Sequence, residues 1–408
     1  MKKITCIFIL FIMTTAWSGD LDINGYYEPQ LSMMHVADTT WNLAANKLRV
    51  DMNKDLSDQV SFGANFDYIT YHGKTQWRIL DYLPDRVTAP LPAAYGDQLV
   101  FNFGDMVQNI GPMYVARPDR IFLDNAWVRL SFKRFDLTIG KQQLGMGAGY
   151  TWNPTDVFNT KDVLDPTYEQ PGHNAVKVQV PLGGGYGILA IYSPGEEWNN
   201  SVKLLKLKGR LGHFDYSVMG VQKHQPYTDY YHLRQVDYKR EMIGGDLVGE
   251  LFGLGVWAEG GYNRMTADSD YSIDRVSDHW ECIAGADYTF ESGLYLMGEY
   301  YYNDMLPAEW EKYDLNDWMW MFTAETKSLS RDQFSGLIQY PATDLLTIGL
   351  SSIISVNDQS TALVPMIIYS VFQDVELTVL GNVFTGKEGR TYSPKMGNGG
   401  MARLRVYF

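Results

Sequence analysis

The chain has 408 residues, of which 45% are hydrophobic and 14% aromatic, and it carries a formal net charge of −14. That charge argues against nucleic acid as a partner. After the N-terminal leader no apolar run approaches the roughly 18 residues of a spanning helix; a helical membrane protein is excluded, but a barrel is not, because barrel strands alternate and never look hydrophobic on average.

The opening "MKKITCIFILFIMTTAWSGD" has Lys2 and Lys3, an apolar stretch from Ile4 to about Met13, and small residues at Ala16 and Ser18. Residues 1–18 therefore read as a secretory signal peptide, with 19–408 as one domain. Cys6 belongs to the leader, which leaves Cys282 alone and no intramolecular disulfide. Period-2 alternation follows, the pattern of a strand with two unlike faces. In "LDINGYYEPQLSM" Leu21, Ile23, Tyr27, Leu31 and Met33 alternate with Asp22, Asn24, Tyr26, Glu28, Gln30 and Ser32. Leu48, Val50 and Met52 alternate with Lys47, Arg49, Asp51 and Asn53, and Val60, Phe62, Ala64, Phe66 and Tyr68 with polar or small neighbours. "AWVRLSFK", "AVKVQV" and "VELTVLGNV" repeat the pattern, each about the length of a tilted transmembrane strand. In "HWECIAGADYTF" Cys282 shares the apolar parity with Trp280, which predicts that it faces lipid. "TALVPMIIYS" is apolar on both parities and holds Pro365, which lacks a ladder donor.

The connections alternate in length. Long or polar ones are expected at about 35–43, 72–118, 147–172, 224–235, 265–277, 303–330 and 386–398. Tight turns such as "DLSD", "KRFD", "LGGG", "LFGLG" and "ESGL" separate them. About eighteen strands result, with sixteen as the alternative, and no helical period is evident. The fold class is all-β: a transmembrane antiparallel barrel with short periplasmic turns and long extracellular loops. Loops 72–118 and 147–172 are too long for plain connectors, so one or both fold inward or over the mouth.

The chain ends "GMARLRVYF", with Ala402, Leu404, Val406 and Phe408 alternating with Arg403, Arg405 and Tyr407. A closed barrel must pair its last strand with its first; the seam is expected around Leu21 and Ile23. A final strand with Leu404, Val406 and Phe408 at alternate positions resembles the assembly signal of Gram-negative outer-membrane barrels. The stretch "IGKQQLGMGAGYTWNPTDVFNTKDVLDPTYEQPG" is similar to a strand and loop of porin-like outer-membrane proteins. The resemblance implies an outer-membrane location, recognition by the barrel-assembly machinery, contact with outer-membrane lipid and lipopolysaccharide, and a monomeric or homotrimeric state. It carries over no binding residue.

The lumen parity collects charge: Lys47, Arg49, Arg129, Lys133, Lys177, Arg403 and Arg405 against Asp51, Asp136, Glu259 and Glu376, with Asp22, Glu28, Asp67 and Glu281 besides. Two readings stand side by side: a transverse field that favours small hydrophilic solutes, or salt bridges that only stiffen the wall. Asp22 and Glu28 are the natural partners of Arg403 and Arg405. Trp310, Trp318 and Trp320 read as an outer girdle rather than a sugar-stacking surface. Asp156, Asp162, Asp165 and Glu169 lack the order of a calcium loop, and the glycines of "GMGAG" read as a bend at the rim. His224 and His232 have no metal-ligand spacing, and no nucleophile motif is present, so neither metal, cofactor nor enzymatic role is expected. The function read from the sequence is passive diffusion of small hydrophilic solutes. The alternative is a barrel for structure or for export of a surface polymer. Asp268, Asp270, Asp274 and Asp278 crowd one outer loop and favour cations at the mouth.

Overall fold

The computed structural model describes residues 21–36, 39–89, 114–165 and 169–408. The leader expected at 1–18 lies outside them. Eighteen strands form one antiparallel sheet. In chain order they are β1 (Asp22–Val36), β2 (Thr39–Ser57), β3 (Val60–Gly73), then β6 (Arg120–Ser131), β7 (Asp136–Gln143), β8 (Gly172–Gly183), β9 (Tyr186–Ser193), β10 (Val202–Leu211), β11 (Phe214–Asp229), β12 (Arg234–Leu251), β13 (Leu254–Ala267), β14 (His279–Thr289), β15 (Tyr295–Asn303), β16 (Asp332–Pro341), β17 (Leu346–Ser355), β18 (Ser360–Phe372), β19 (Val375–Phe384) and β20 (Asn398–Tyr407). Between β3 and β6, β4 (Gln76–Arg78) and β5 (Tyr114–Ala116) make a small separate hairpin.

The barrel closes where β20 pairs with β1, Tyr26 opposite Tyr407 and Leu31 opposite Ala402. Phe408 extends the seam: its N–H donates to the Gly25 carbonyl at 3.1 Å, and its carbonyl accepts from the Gly25 N–H at 3.0 Å. The expected seam around Leu21 and Ile23 is thus corrected by this register. It leaves Asp22 beyond the end of β20 and brings Glu28 against the arginines.

The lipid face follows the sequence parity. Ile23, Tyr27, Leu31 and Met33 of β1 are exposed, as are Val128, Ile139, Leu205, Val218 and Ile243 around the wall. Exposed apolar surface on this scale is stable only against hydrocarbon. Phe132, Phe252, Phe290, Phe372 and Phe408 ring the tight-turn end, and Tyr262, Trp280 and Tyr300 stand on the outer face nearer the other. Cys282 is opposite Gly260 and Tyr302 on this outer face. At the tight end Phe252 and Gly253 both take positive φ, 55° and 79°, as a two-residue hairpin turn requires. Pro365 also points outward, opposite Leu350, while Ala362, Val364 and Met366 are buried inward.

Three readings of the connections change. The polar stretches at 35–43 and 224–235 are mostly strand: β1 runs to Val36 and β2 starts at Thr39, β11 runs to Asp229 and β12 starts at Arg234. Polar residues there still complete ladder bonds above the membrane, so polarity alone did not mark a loop. Second, a helix exists, Leu315–Phe322, capped at Asp314 by reciprocal hydrogen bonds with Asp317. Third, Trp318 and Trp320 are fully buried and form no girdle. They pack with Leu315, Met319, Tyr227, Tyr230, Val276 and Leu306, and with Ile79, Leu83 and Val87 of the segment after β4, as an apolar cap. Trp310 stands between the guanidinium groups of Arg86 and Arg390, 4.8 and 5.6 Å from its ring.

Candidate functional site: the constricted lumen

The loop between β7 and β8, described at 144–165 and 169–171, enters the barrel. Its apolar residues Leu144, Met146 and Val157 pack on an inner patch of Leu189, Ile191, Leu204, Met219 and Met242. Trp152 packs with Tyr301 and Ile283. Two wall carboxylates hold its backbone. Glu259 of β13 accepts from the N–H groups of Ala148 at 2.6 Å, Gly149 at 3.2 Å and Thr155 at 2.6 Å, and from the Thr155 hydroxyl at 2.8 Å. Glu299 of β15 accepts from the N–H groups of Tyr150, Thr151 and Trp152 at 2.8, 3.0 and 2.9 Å, and from the Trp257 indole at 2.7 Å. Both are almost wholly buried, at 4% and 0% exposure. Hydrogen bonds to an ionised acceptor are about twice as strong as neutral ones, so these pairs pin the loop.

The glycines of "GMGAG" belong to this anchorage and not to a bend at the rim. Gly147 takes φ +86°, and a Cβ there would collide with the Glu259 carboxylate; one at Gly149 would meet the Trp152 carbonyl and Ile283. Lys161 ties the loop to itself, donating to the carbonyls of Gly149 at 2.7 Å and Tyr150 at 2.9 Å. Lys327, from the cap, donates to the Asn153 carbonyl at 2.6 Å and pairs with Glu281 at 3.2 Å.

The returning end of the loop lies against the seam. Glu169 contacts Lys47 at 2.8 Å, Arg405 at 3.2 Å and Arg49 at 3.6 Å, and accepts from the Tyr26 hydroxyl at 2.8 Å. Burial pushes its carboxyl up, but Lys47, Tyr26 and Arg405 outweigh that and hold it down at about 2. Arg405 also pairs with Glu28 at 2.6 Å and lies over the Tyr26 ring; Arg403 reaches Glu28 at 3.6 Å and Asp165 at 3.8 Å. Arg49 meets Asp51 at 2.9 Å, Asp124 at 3.4 Å and Asp67 at 3.8 Å. Lys47, Arg49, Asp51, Arg403 and Arg405 therefore form one network. Of the two carboxylates expected to partner the arginines, Glu28 does so and Asp22 is exposed at the strand end.

The remaining candidates spread further. Arg129 and Lys177 line a neighbouring hollow with Arg49, Gln142 and Trp127, and Arg129 lies 5.2 Å from the Trp127 ring. Asp136 begins β7, opposite Ser131 and Gln179, near the tight end. Glu376 is opposite Arg405 and accepts from Thr378 at 3.4 Å. Lys133 is a correction: it sits exposed in the turn between β6 and β7, because the strand ends at Ser131. Glu259 is on the lumen side as expected, but the loop covers it. His224 and His232 make separate pairs, with Asp237 at 3.3 Å and Asp229 at 2.7 Å. Among the described residues no three His, Cys, Asp or Glu gather as metal ligands.

Sequence reasoning missed Glu299, Asp124 and Lys327. Glu299 left one trace: a lone acid in the aromatic strand "YLMGEYYYN", on the parity opposite Tyr300 and Tyr302. Open space remains on the seam side. One cavity of about 200 Å³ is bounded by Glu28, Lys47, Arg49, Arg403, Arg405 and Glu169. Another of about 330 Å³ is bounded by Tyr150, Lys161, Asp162, Met297, Leu337 and Ser351. Asp165 and Gln170 line both, so the loop forms a charged edge shared by the two cavities.

No protein-family model matches the sequence, and no curated protein does. Solved structures do. OccAB2 of Acinetobacter baumannii matches with a TM-score of 0.55 at 8% identity, over 95% of this chain and 98% of that one. OccK2 (OpdF) of Pseudomonas aeruginosa, solved in complex with glucuronate, matches with a TM-score of 0.54 at 8% identity, over 95% and 97%. OccAB4 of A. baumannii gives 0.53 at 11% identity, over 96% and 98%. At these identities the likeness is one of fold. The chain has an eighteen-stranded barrel fold like that of these structures.

Proposed function

We propose that this barrel is an outer-membrane channel for passive diffusion of small hydrophilic solutes, without covalent chemistry. The observation that supports the reading is the pair of adjoining seam-side cavities, with Lys47, Arg49, Arg403 and Arg405 on the wall and Asp162, Asp165 and Glu169 on the loop. Facing charges of opposite sign orient dipolar, hydrated solutes and turn apolar ones away. Lys47, Arg49, Asp51, Arg403 and Arg405 are the pore-lining residues of the constriction, and Arg129, Lys177, Asp136 and Glu376 line the lumen away from it. The test is single-channel conductance of the purified barrel in planar bilayers. Discrete open steps are expected. A barrel that folds and inserts but never conducts overturns the reading and leaves a structural or polymer-export role.

The apolar band meets lipid, the extracellular rim meets lipopolysaccharide, and the barrel-assembly machinery reads Leu404, Val406 and Phe408. Sedimentation of the detergent complex distinguishes a monomer from a homotrimer. Deleting Phe408 removes both of its bonds to Gly25, and unpaired backbone in lipid costs several kcal/mol per group. Less heat-modifiable protein should reach the outer membrane, while the molecules that insert conduct normally and Phe408→Tyr is mild. Unchanged assembly on deletion would show that Phe408 is no signal.

A further inference from the structure

On the wall opposite the seam lies a partly open chamber that the channel reading does not use. Its floor is the constriction loop at Asp156–Thr160, its roof the cap segment 324–327, and its wall β11, β12, β14 and β15. Three cations face it, Lys223, Arg240 and Lys327, with three carboxylates, Asp156, Glu281 and Glu325.

The carboxylates are already committed. Asp156 accepts from the N–H groups of Met146, Phe158 and Asn159 and from the Asn159 amide, all between 2.9 and 3.2 Å. Glu281 is taken by Lys327 at 3.2 Å and by the Tyr301 hydroxyl at 3.1 Å, with Arg240 at 3.8 Å. Glu325 accepts from the Thr228 hydroxyl at 3.2 Å. Two of the cations, Lys223 and Arg240, are less well served. The Lys223 ammonium donates to one neutral acceptor, the Val157 carbonyl, at 2.7 Å. Arg240 spends its Nε on Asn263 at 2.7 Å and its Nη2 on the Met242 sulfur at 3.9 Å. An ammonium taken out of bulk water with a carbonyl as its one hydrogen-bond acceptor, and no carboxylate in ion-pair contact, favours an anion beside it. The cavity measures about 70 Å³, several times the roughly 10–15 Å³ that one water needs, which is room for a compact ion.

We propose that this chamber binds a small oxyanion, of the size of inorganic phosphate or acetate, between Lys223 and Arg240. Bound there, the ion sits between two facing wall residues, one of which, Lys223, already holds the loop through the Val157 carbonyl. It is a resident of the wall, not a solute in transit, and the inference stands whether or not the barrel conducts.

The test is calorimetric titration of the folded barrel in detergent, with sodium phosphate in one arm and sodium acetate in the other, at constant ionic strength in chloride. Saturable binding is expected in at least one arm, and comparison of the two shows which oxyanion fits. Lys223→Met should weaken it about tenfold or more, the loss of one charge-assisted contact, with Lys223→Arg restoring it. Lys133→Met, in the exposed turn, should leave it unchanged. Should Lys223→Met fail to give a heat-modifiable barrel, Arg240→Gln carries the same expectation. No saturable binding in either arm, or undiminished binding in the variant that folds, overturns the proposal.

Discussion

Loop 144–171 and segment 304–331 leave the same end of the barrel and are held by opposite means. The loop is pinned by charge: six backbone N–H groups converge on Glu259 and Glu299, and Glu169 clasps Lys47 and Arg405. The segment is held by apolar packing, with Trp318, Met319 and Trp320 completely buried. The difference follows from location. A constriction in a wet lumen must present charge to the passage, so its anchors are polar too, and each is affordable because the bonds are short and ionised. A cap over the mouth excludes water from its own interior and gains the burial of large side chains. Lys327 joins the two, from the cap to the Asn153 carbonyl of the loop.

The strongest way to break this contrast is Trp320→Ala. Losing a buried Trp should cost the cap about 3–5 kcal/mol of packing. Limited proteolysis within 304–331 should rise steeply while the loop stays protected. Equal exposure of both segments would mean that they unfold as one unit.

Glu299→Gln attacks the other side. It keeps the shape but trades an ionised acceptor for an amide, a loss of roughly 2–4 kcal/mol. Noisier and larger single-channel currents are expected, with the cap's protease resistance unchanged. Glu259→Gln should behave alike, and the double variant should fall short of the sum, because both hold one loop. Currents identical to wild type would show that the loop does not set the constriction.

Acidity should separate the two regions further. Burial pushes the Glu325 carboxyl from its usual 4.5 up to about 7, against the hydrogen bonds of Thr228. Burial and the neighbouring Asp314 raise Asp317 in the same direction. The folded cap therefore binds protons more tightly than the unfolded chain. Its stability is greatest below pH 4.5, declines up to about 7 and is level above. Glu169 has the opposite sign: held down at about 2, it supports the loop above 4.5 and fails only as pH falls through about 2. Hydrogen exchange should show the cap opening more at pH 8 than at pH 5 while 169–172 stays constant. Glu325→Gln should flatten much of that slope, and a slope unaffected by it would refute the assignment.

The smallest effect concerns the mouth alone. Asp268, Asp270 and Asp274 are exposed, whereas Asp278 is tied to the Met265 N–H at 2.7 Å. Changing the first three to Asn should move the reversal potential in a potassium chloride gradient slightly toward anions. Charges farther than a Debye length of about 8 Å from the passage are screened. A shift as large as that from Arg403→Gln would place selectivity at the rim instead of the constriction.

The sequence by itself determined the wall. Period-2 alternation is a local property, written within each strand, and it gave the barrel, the lipid face of Ile23, Val128 and Trp280, the lumen parity of Lys47, Arg49 and Arg405, and the closing strand ending at Phe408. It also paired Glu28 with the arginines of the seam, since neighbours across a ladder follow from parity. Only the tertiary structure decided what fills the barrel. Thr155 and Glu259 are 104 residues apart, Tyr150 and Glu299 149 apart, and Lys327 and Asn153 174 apart. No local spacing encodes contacts of that range. Trp318 and Trp320 show the same limit: a tryptophan in a loop of a membrane barrel satisfies a girdle or a core equally well by composition. Which one it joins depends on the segments from β3, β11 and β12 that the fold folds over it.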